Sequence, residues 1–359
     1  MAEGRFTDKL RGDNQTDVRA VLKATPTPGF VLGDVEEPDP SNGWVLLKVA
    51  AASVCGTDLH IYDWNPWAAR RVHPPRVVGH EVCGEVVEHG PGVATPALGT
   101  RVAVESHIVC GYCDECRRGD FHVCENTRIL GVDVDGAFAS KIVVPVANVW
   151  PAGNHVAPEV AAAMEPFGNA VHACSYGDLD ARTLVVFGCG PIGCAAIAVA
   201  RAQGAARVIA VDRNPYRLKL AERMGAHAFI RAGSTPVDAQ VIAAAGGLVD
   251  CALEMSGSPT AIVSATRVVR PGGWISLLGI GDEPATIDVS NDVVMKGLTL
   301  HGVVGRRLPA TWERTTAYVR EGVVDVAALI THRFALDDID EAMALMKSGQ
   351  CGKVTLSPA

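Results

Sequence analysis

Long hydrophobic runs are missing from this chain. Its longest apolar stretches, "TLVVFG" (183–188) and "GCAAIAVA" (193–200), fall well short of the roughly 20 residues that a membrane-spanning helix needs. An apolar targeting core is missing too. The opening "MAEGRFTDKLRGDNQTD" is polar, so 1–17 is expected to be a flexible tail and not a secretory signal or anchor. Nor is there any excess of positive charge: 32 Lys and Arg stand against 40 Asp and Glu, a net charge of -8. That balance argues against nucleic acid and anionic membranes as partners and leaves a small-molecule ligand as the expectation. Finally, paired cysteines are lacking. Eleven is an odd number, most are scattered singly among apolar neighbours, and no export signal accompanies them. A disulfide framework is therefore not expected, the thiols are free to bind metal, and the expected compartment is the cytoplasm.

What is present suits two globular domains. The 359 residues are 48% hydrophobic and 20% charged, enough for two cores. Within them, Cys110, Cys113, Cys116 and Cys124 read C-x2-C-x2-C-x7-C, three on a tight glycine-containing turn and the fourth returning after a charged loop. Four thiolates so placed can converge tetrahedrally on zinc at a closed structural site, which leaves no coordination position for a substrate. An iron–sulfur cluster of the bacterial ferredoxin type would want C-x2-C-x2-C-x3-C-P; here the last gap is longer and Glu125 follows Cys124. Unliganded surface thiols are the third alternative.

A second set of potential ligands is spread more widely. Cys55 lies in "VCGTDLHIYDW", His80 in the glycine-flanked "VVGHEVCG", and Glu165 beside a proline in "MEPFGNAVH". A thiolate, an imidazole and a carboxylate make three protein ligands with a fourth position open, the pattern of a catalytic zinc. Each residue alone also suits a structural role. Thr57, two residues after Cys55, and His60, three beyond that, would set a hydroxyl beside the metal and an imidazole able to carry its proton to solvent.

From about Asp180 the pattern changes to alternating strands and helices. "RTLVVFGCGPIGCAAIAVARAQGA" runs from a β-rich strand through Gly188-x-Gly190-x-x-Gly193 into an alanine-rich helix, and "RVIAVD" follows, ending in Asp212. Gly188 permits the turn, Gly190 clears space for a pyrophosphate, and Gly193 lets helix and strand approach. Pro191, with Ile192 after it, suits the first helical turn. Asp212 would accept the adenosine ribose hydroxyls and repel a 2′-phosphate, favouring NAD over NADP, although Arg213 next to it could greet a phosphate. Continued alternation predicts six parallel strands in doubly wound order with NAD across the switch point.

With these motifs placed, the chain resembles the zinc-dependent medium-chain dehydrogenases from about Val18 to Ser357. The stretches that carry the resemblance are "CGTDLH", "HIYDW", "GHE", "SHIVCG", the four-cysteine loop, "EPFGNAVH", "EMSG", "ITHRF" and "SGQCGKV". The resemblance implies an α/β protein. A GroES-like β-rich catalytic domain (1–165 and 308–359, with a structural zinc lobe at 105–126) would flank a Rossmann domain at 166–307, with the substrate in the cleft between them. It implies one catalytic zinc on Cys55, His80 and Glu165, with Glu81 able to share the fourth site, and one structural zinc on the four cysteines. It further implies Thr57 and His60 as a proton relay, Arg217 near the adenosine ribose or phosphate, His107 near the substrate, and a homotetramer. The implied reaction is NAD-linked oxidation of a secondary alcohol, with L-threonine as the first expectation and a polyol or amino-polyol, sorbitol-like or an aminocyclitol, as the alternative. A catalytically silent NAD-binding redox sensor is a third. Two departures bear on substrate: Ser106 stands where such relatives usually carry glycine, and "GRRLPATW" (305–312) replaces a more acidic, methionine-bearing segment. Arg306 and Arg307 are expected in a solvated surface loop, the alternative being a clamp for a substrate carboxylate.

Overall fold

The computed structural model describes residues 17–233, 236–281 and 283–358. The tail expected over 1–17 lies, but for Asp17, outside them.

The nucleotide half is built on a six-stranded parallel sheet. In spatial order its strands are Ala228–Arg231, Arg207–Asp212, Thr183–Phe187, Val249–Glu254, Val269–Leu277 and Thr299–Gly302. This is the doubly wound order expected from the alternating pattern. Strands buried on both faces must be apolar throughout, and "TLVVF" shows why. Leu184 and Val186 point into a core shared with the helices Met164–Ala173 and Pro191–Ala202, while Val185 and Phe187 point into another under the helices Val237–Ala245 and Pro259–Val268. Phe187, Asp212 and Glu254 all end strands at the same edge, so the chemistry of the fingerprint is gathered at the carboxyl ends.

The other half is a mixed sheet in the order Val149–Pro151, Arg101–Val104, Glu81–His89, Trp44–Val54, Lys353–Ser357 and Ile330–Ala335, with Lys141–Pro145 also paired to Trp44–Val54. Segments far apart in the sequence meet here, because Lys353–Ser357 lies antiparallel to Trp44–Val54 with Val354 opposite Val54 and Thr355 opposite Ser53. The helix Ala310–Arg320 bridges the halves. Trp312 stacks on Trp150 at 5.5 Å, and Tyr318 meets Phe167 of the nucleotide-side core edge-on. Among the described residues no helix is long and apolar enough to cross a membrane.

Candidate active site and zinc-binding lobe

In the lobe, short local geometry brings the four cysteines together. Gly111 and Gly119 adopt positive φ (77° and 86°) at the two turns that flank the helix Asp114–Arg118, and Cys113 caps that helix. The sulfurs come within 3.6 Å (Cys110–Cys124), 3.9 Å (Cys113–Cys124) and 4.0 Å (Cys110–Cys116), against the about 3.8 Å that tetrahedral bonds to zinc would set. The lobe's own core is little more than these thiols with Val109 and Phe121. Desolvation opposes ionisation of Cys110, but the N–H groups of Tyr112 and Cys113 and the Asn126 amide bring it down to about 6. Cys116 is pushed up to about 12, first by burial and then by the neighbouring sulfurs. Four such thiols cannot all lose their protons without a cation among them, and zinc fits that demand.

At the catalytic set, Cys55 follows the strand Trp44–Val54 and caps the helix Gly56–Asp63. His80 follows Gly79, whose φ of 89° makes the turn and whose backbone is packed so closely by Gly131 and Gly136 that neither could carry a Cβ. Ligand atoms of Cys55, His80 and Glu81 all lie within 4.8 Å of one another. Thr57 Oγ1 is 3.8 Å from Cys55 Sγ. Beneath them Asp58, fully buried, accepts the Cys55 N–H at 2.8 Å and sits 3.7 Å from His80 Nδ1; neither that nitrogen nor Asp58 Oδ1 has a hydrogen-bond partner. Although burial works against a charged imidazole, Asp58 and Cys55 push His80 up to about 10. The pocket thus has a surplus of negative charge around one ring, and zinc fits the thiol, imidazole and carboxylate donors.

Glu81 is not free. Lys353 Nζ donates to its Oε1 at 2.7 Å and Ser53 Oγ donates to its Oε2. Glu165 begins the helix Met164–Ala173 but does not join the other three. It accepts Ser106 Oγ at 2.5 Å and pairs with Arg306 Nη1 at 2.8 Å, while still near enough to raise His80.

The nucleotide crevice is a cavity of about 1020 Å³ lined by Gly188, Gly190, Asp212, Arg213, Arg217 and Ser256, among others. Its glycines differ in the room around them. A Cβ on Gly188 would meet Ser256 at 2.8 Å, one on Gly193 would lie 1.9 Å from the Gly188 carbonyl oxygen, and one on Gly190 would meet nothing within 4 Å. Pro191 opens the helix Pro191–Ala202, and Ile192 packs against the core beneath it. Asp212 is steered by the N–H groups of Cys189 and Asn214, each 2.7 Å from one of its oxygens. Arg217 lies in the same cavity with a buried Nε that has no hydrogen-bond partner.

Known proteins are similar to this chain. Residues 41–154 match the alcohol dehydrogenase GroES-like domain and 191–321 the zinc-binding dehydrogenase domain. The L-threonine 3-dehydrogenase of Symbiobacterium thermophilum is 46% identical over 95% of this chain and 98% of its own length. That of Thermococcus kodakarensis is 43% identical over the same shares, 95% and 98%. Among solved structures, a short chain alcohol dehydrogenase of Escherichia coli CFT073 in complex with NADH superposes with a TM-score of 0.88 at 29% identity, covering 95% of this chain and 99% of that one. The chain belongs to the zinc-binding dehydrogenases. It is an oxidoreductase, and zinc and NAD are its cofactors.

Set against the sequence, this dehydrogenase holds its largest surprise at Arg306. The expected solvated loop is wrong for that residue, which is 2% exposed. Its guanidinium forks onto Glu105 through Nε and Nη2, meets Glu165, and reaches Ser106 Oγ at 3.0 Å and Asn169 Oδ1 at 3.1 Å. A buried guanidinium persists only when its charge is matched, and two carboxylates match it. Arg307, by contrast, is exposed and lies over the Tyr176 ring. Trp312 Nε1 also donates to Glu105 at 2.6 Å. Burial favours the neutral acid, yet Arg306, His107 and Trp312 hold Glu105 at about 2. His107 sits over this cluster, its Nδ1 3.7 Å from Glu105, and is kept down to about 4 by burial and by Arg306. Gly305, at φ 56°, is the close neighbour that lets the ring fit: a Cβ there would lie 2.7 Å from His107 Nδ1.

Sequence reasoning missed Asp58, Glu105 and Lys353 as supports of the site. Asp58 carried a signal, since an acid at the third helical position after Cys55 is a capping pattern. Glu105 and Lys353 carried none, because their partners lie 201 and 272 residues away.

Proposed function

We propose that this dehydrogenase oxidises the secondary hydroxyl of L-threonine to give 2-amino-3-oxobutanoate, with NAD reduced to NADH. The observation that carries the substrate is identity of 46% over nearly the whole chain with a protein named for that reaction. One zinc belongs with Cys55 and His80, completed by Glu81 or Glu165, and a second with Cys110, Cys113, Cys116 and Cys124. At the first site zinc supplies a Lewis acid that makes the substrate hydroxyl more acidic, and NAD supplies the hydride acceptor.

The chain's own residues do the rest. Thr57, beside Cys55, takes the hydroxyl proton at Oγ1 as it gives up its own. His60, three residues on and so on the same side of the helix, passes it toward solvent. Neutral His107 offers a donor and an acceptor to the polar end of the amino acid. Gly188, Gly190, Pro191, Ile192 and Gly193 receive the pyrophosphate, and Asp212 with Arg217 holds the adenosine ribose. The cleft between 1–165 with 308–359 and 166–307 receives the substrate, and the active form is a cytoplasmic homotetramer. With Arg306 neutralised by two acids, it is not the clamp for a substrate carboxylate.

NADH formation across L-threonine, other 2-amino-3-hydroxy acids and polyols tests the reading. Turnover is expected with millimolar threonine; a polyol or amino-polyol turned over while threonine is not would overturn it.

A further inference from the structure

His60 and Asn65 meet in an arrangement that decides where the imidazole keeps its proton. Asn65 lies between the helices Gly56–Asp63 and Pro66–Arg71 and caps the second: its Oδ1 accepts the Ala68 N–H at 2.9 Å. That bond settles which way the amide faces, because the reversed amide would set NH2 against N–H. Its Nδ2, which can only donate, is then 3.0 Å from His60 Nδ1. Pro66 at the first helical position and the left-handed Trp64 (φ 54°) fix the chain on either side of the cap.

We infer that Asn65 is a positioning residue that holds His60 as the Nε2–H tautomer, with the Nδ1 lone pair covered by the Asn65 amide. This rests on the reading of His60 as the outer member of the proton relay. A neutral imidazole has one bare nitrogen, and here that nitrogen is Nδ1. A second proton therefore lands on Nδ1 and must displace the Asn65 N–H, so each proton that leaves through His60 opens this one hydrogen bond. Asn65, which bonds the ring, and Trp67, whose ring centroid lies 6.3 Å from it, are both uncharged. The capping amide thus links the relay to the helix behind it.

The test is imidazole 15N NMR of the zinc-loaded enzyme labelled at histidine, with the His60 signals assigned by their loss in His60→Gln. The wild type should show Nδ1 unprotonated and Nε2 protonated at neutral pH. Asn65→Asp keeps the cap, since aspartate caps as well as asparagine, but its carboxylate can only accept. In that variant the proton should move to Nδ1, and the acid limb of the kcat/KM profile should move to higher pH by roughly one unit or more. A wild-type ring protonated on Nδ1, or a pattern unchanged by Asn65→Asp, overturns the inference. If His60→Gln turned over as fast as wild type while the tautomer pattern stood, the relay reading would fail and the role of Asn65 in turnover would fail with it.

Discussion

At the scale of single residues, two changes separate binding of metal from integrity of the fold. Cys55→Ser should remove one zinc per chain and abolish turnover while the circular dichroism and melting profile of the protein stay close to wild type. Cys55 is only partly buried at a helix cap that serine can also fill, so little packing is lost. Metal analysis beside steady-state rates checks this, and retained zinc with retained activity would refute the ligand assignment. Arg306→Met should behave in the opposite way. It leaves Glu105 and Glu165 buried without their shared cation, a loss of about 3–5 kcal/mol, to be read from urea denaturation. Arg306→Lys should recover part of it, because an ammonium keeps the charge but cannot fork onto Glu105. These residues also mark what could be read from the chain and what could not. Cys55, Thr57 and His60 sit in one helical turn and its neighbours, where spacing alone states the geometry. Arg306 looked like a surface charge because nothing near it in sequence pairs with it.

At the scale of elements, the glycine fingerprint gives the sharpest contrast. Gly190→Val should leave the melting temperature of the cofactor-free protein near that of wild type, since nothing lies within 4 Å of the added Cβ. NADH binding, followed by fluorescence titration, should be lost, because the side chain would occupy the space proposed for the pyrophosphate. Gly193→Ala should lower the melting temperature even without cofactor, its Cβ being set 1.9 Å from the Gly188 oxygen. Equal effects of the two would mean that the glycines do not divide their work. In the lobe, Cys113→Ser should lower heat stability before it slows turnover, as the four sulfurs supply most of the local core. The strand, turn and helix of the fingerprint were legible because each is local. The pairing of Lys353–Ser357 with Trp44–Val54 was not legible, because it joins segments some three hundred residues apart; the resemblance implied only that 1–165 and 308–359 share a domain.

At the scale of the whole molecule, the seam between the halves is lined by histidines held neutral, and stability must follow pH through them. His172, on the helix Met164–Ala173, bonds the Gly305 carbonyl through Nδ1 at 2.9 Å and Tyr176 Oη through Nε2 at 3.1 Å. Burial lowers it to about 4, with His122, Arg307 and Arg306 adding to the effect against the Gly305 bond. His107, across Gly305, is likewise lowered to about 4, first by burial and then by Arg306. An unfolded histidine titrates near 6.5, so between about pH 6.5 and 4 the unfolded chain takes up protons that the folded chain refuses. Stability therefore falls as pH drops through that window, by at most about 3 kcal/mol per residue. Glu105 extends the loss below it. Held at about 2 when folded, it contributes stability that is full above the ordinary carboxylate range and disappears as pH falls toward 2. Urea midpoints of the zinc-loaded enzyme at pH 7.0, 5.5 and 4.5, values spanning the histidine window, should decline, and His172→Gln should decline less steeply because one proton fewer is taken up on unfolding. The slope decides the matter, not the height, since the variant also loses packing; an unchanged slope would show that His172 is charged in the folded protein, against the burial and the arginines that surround it.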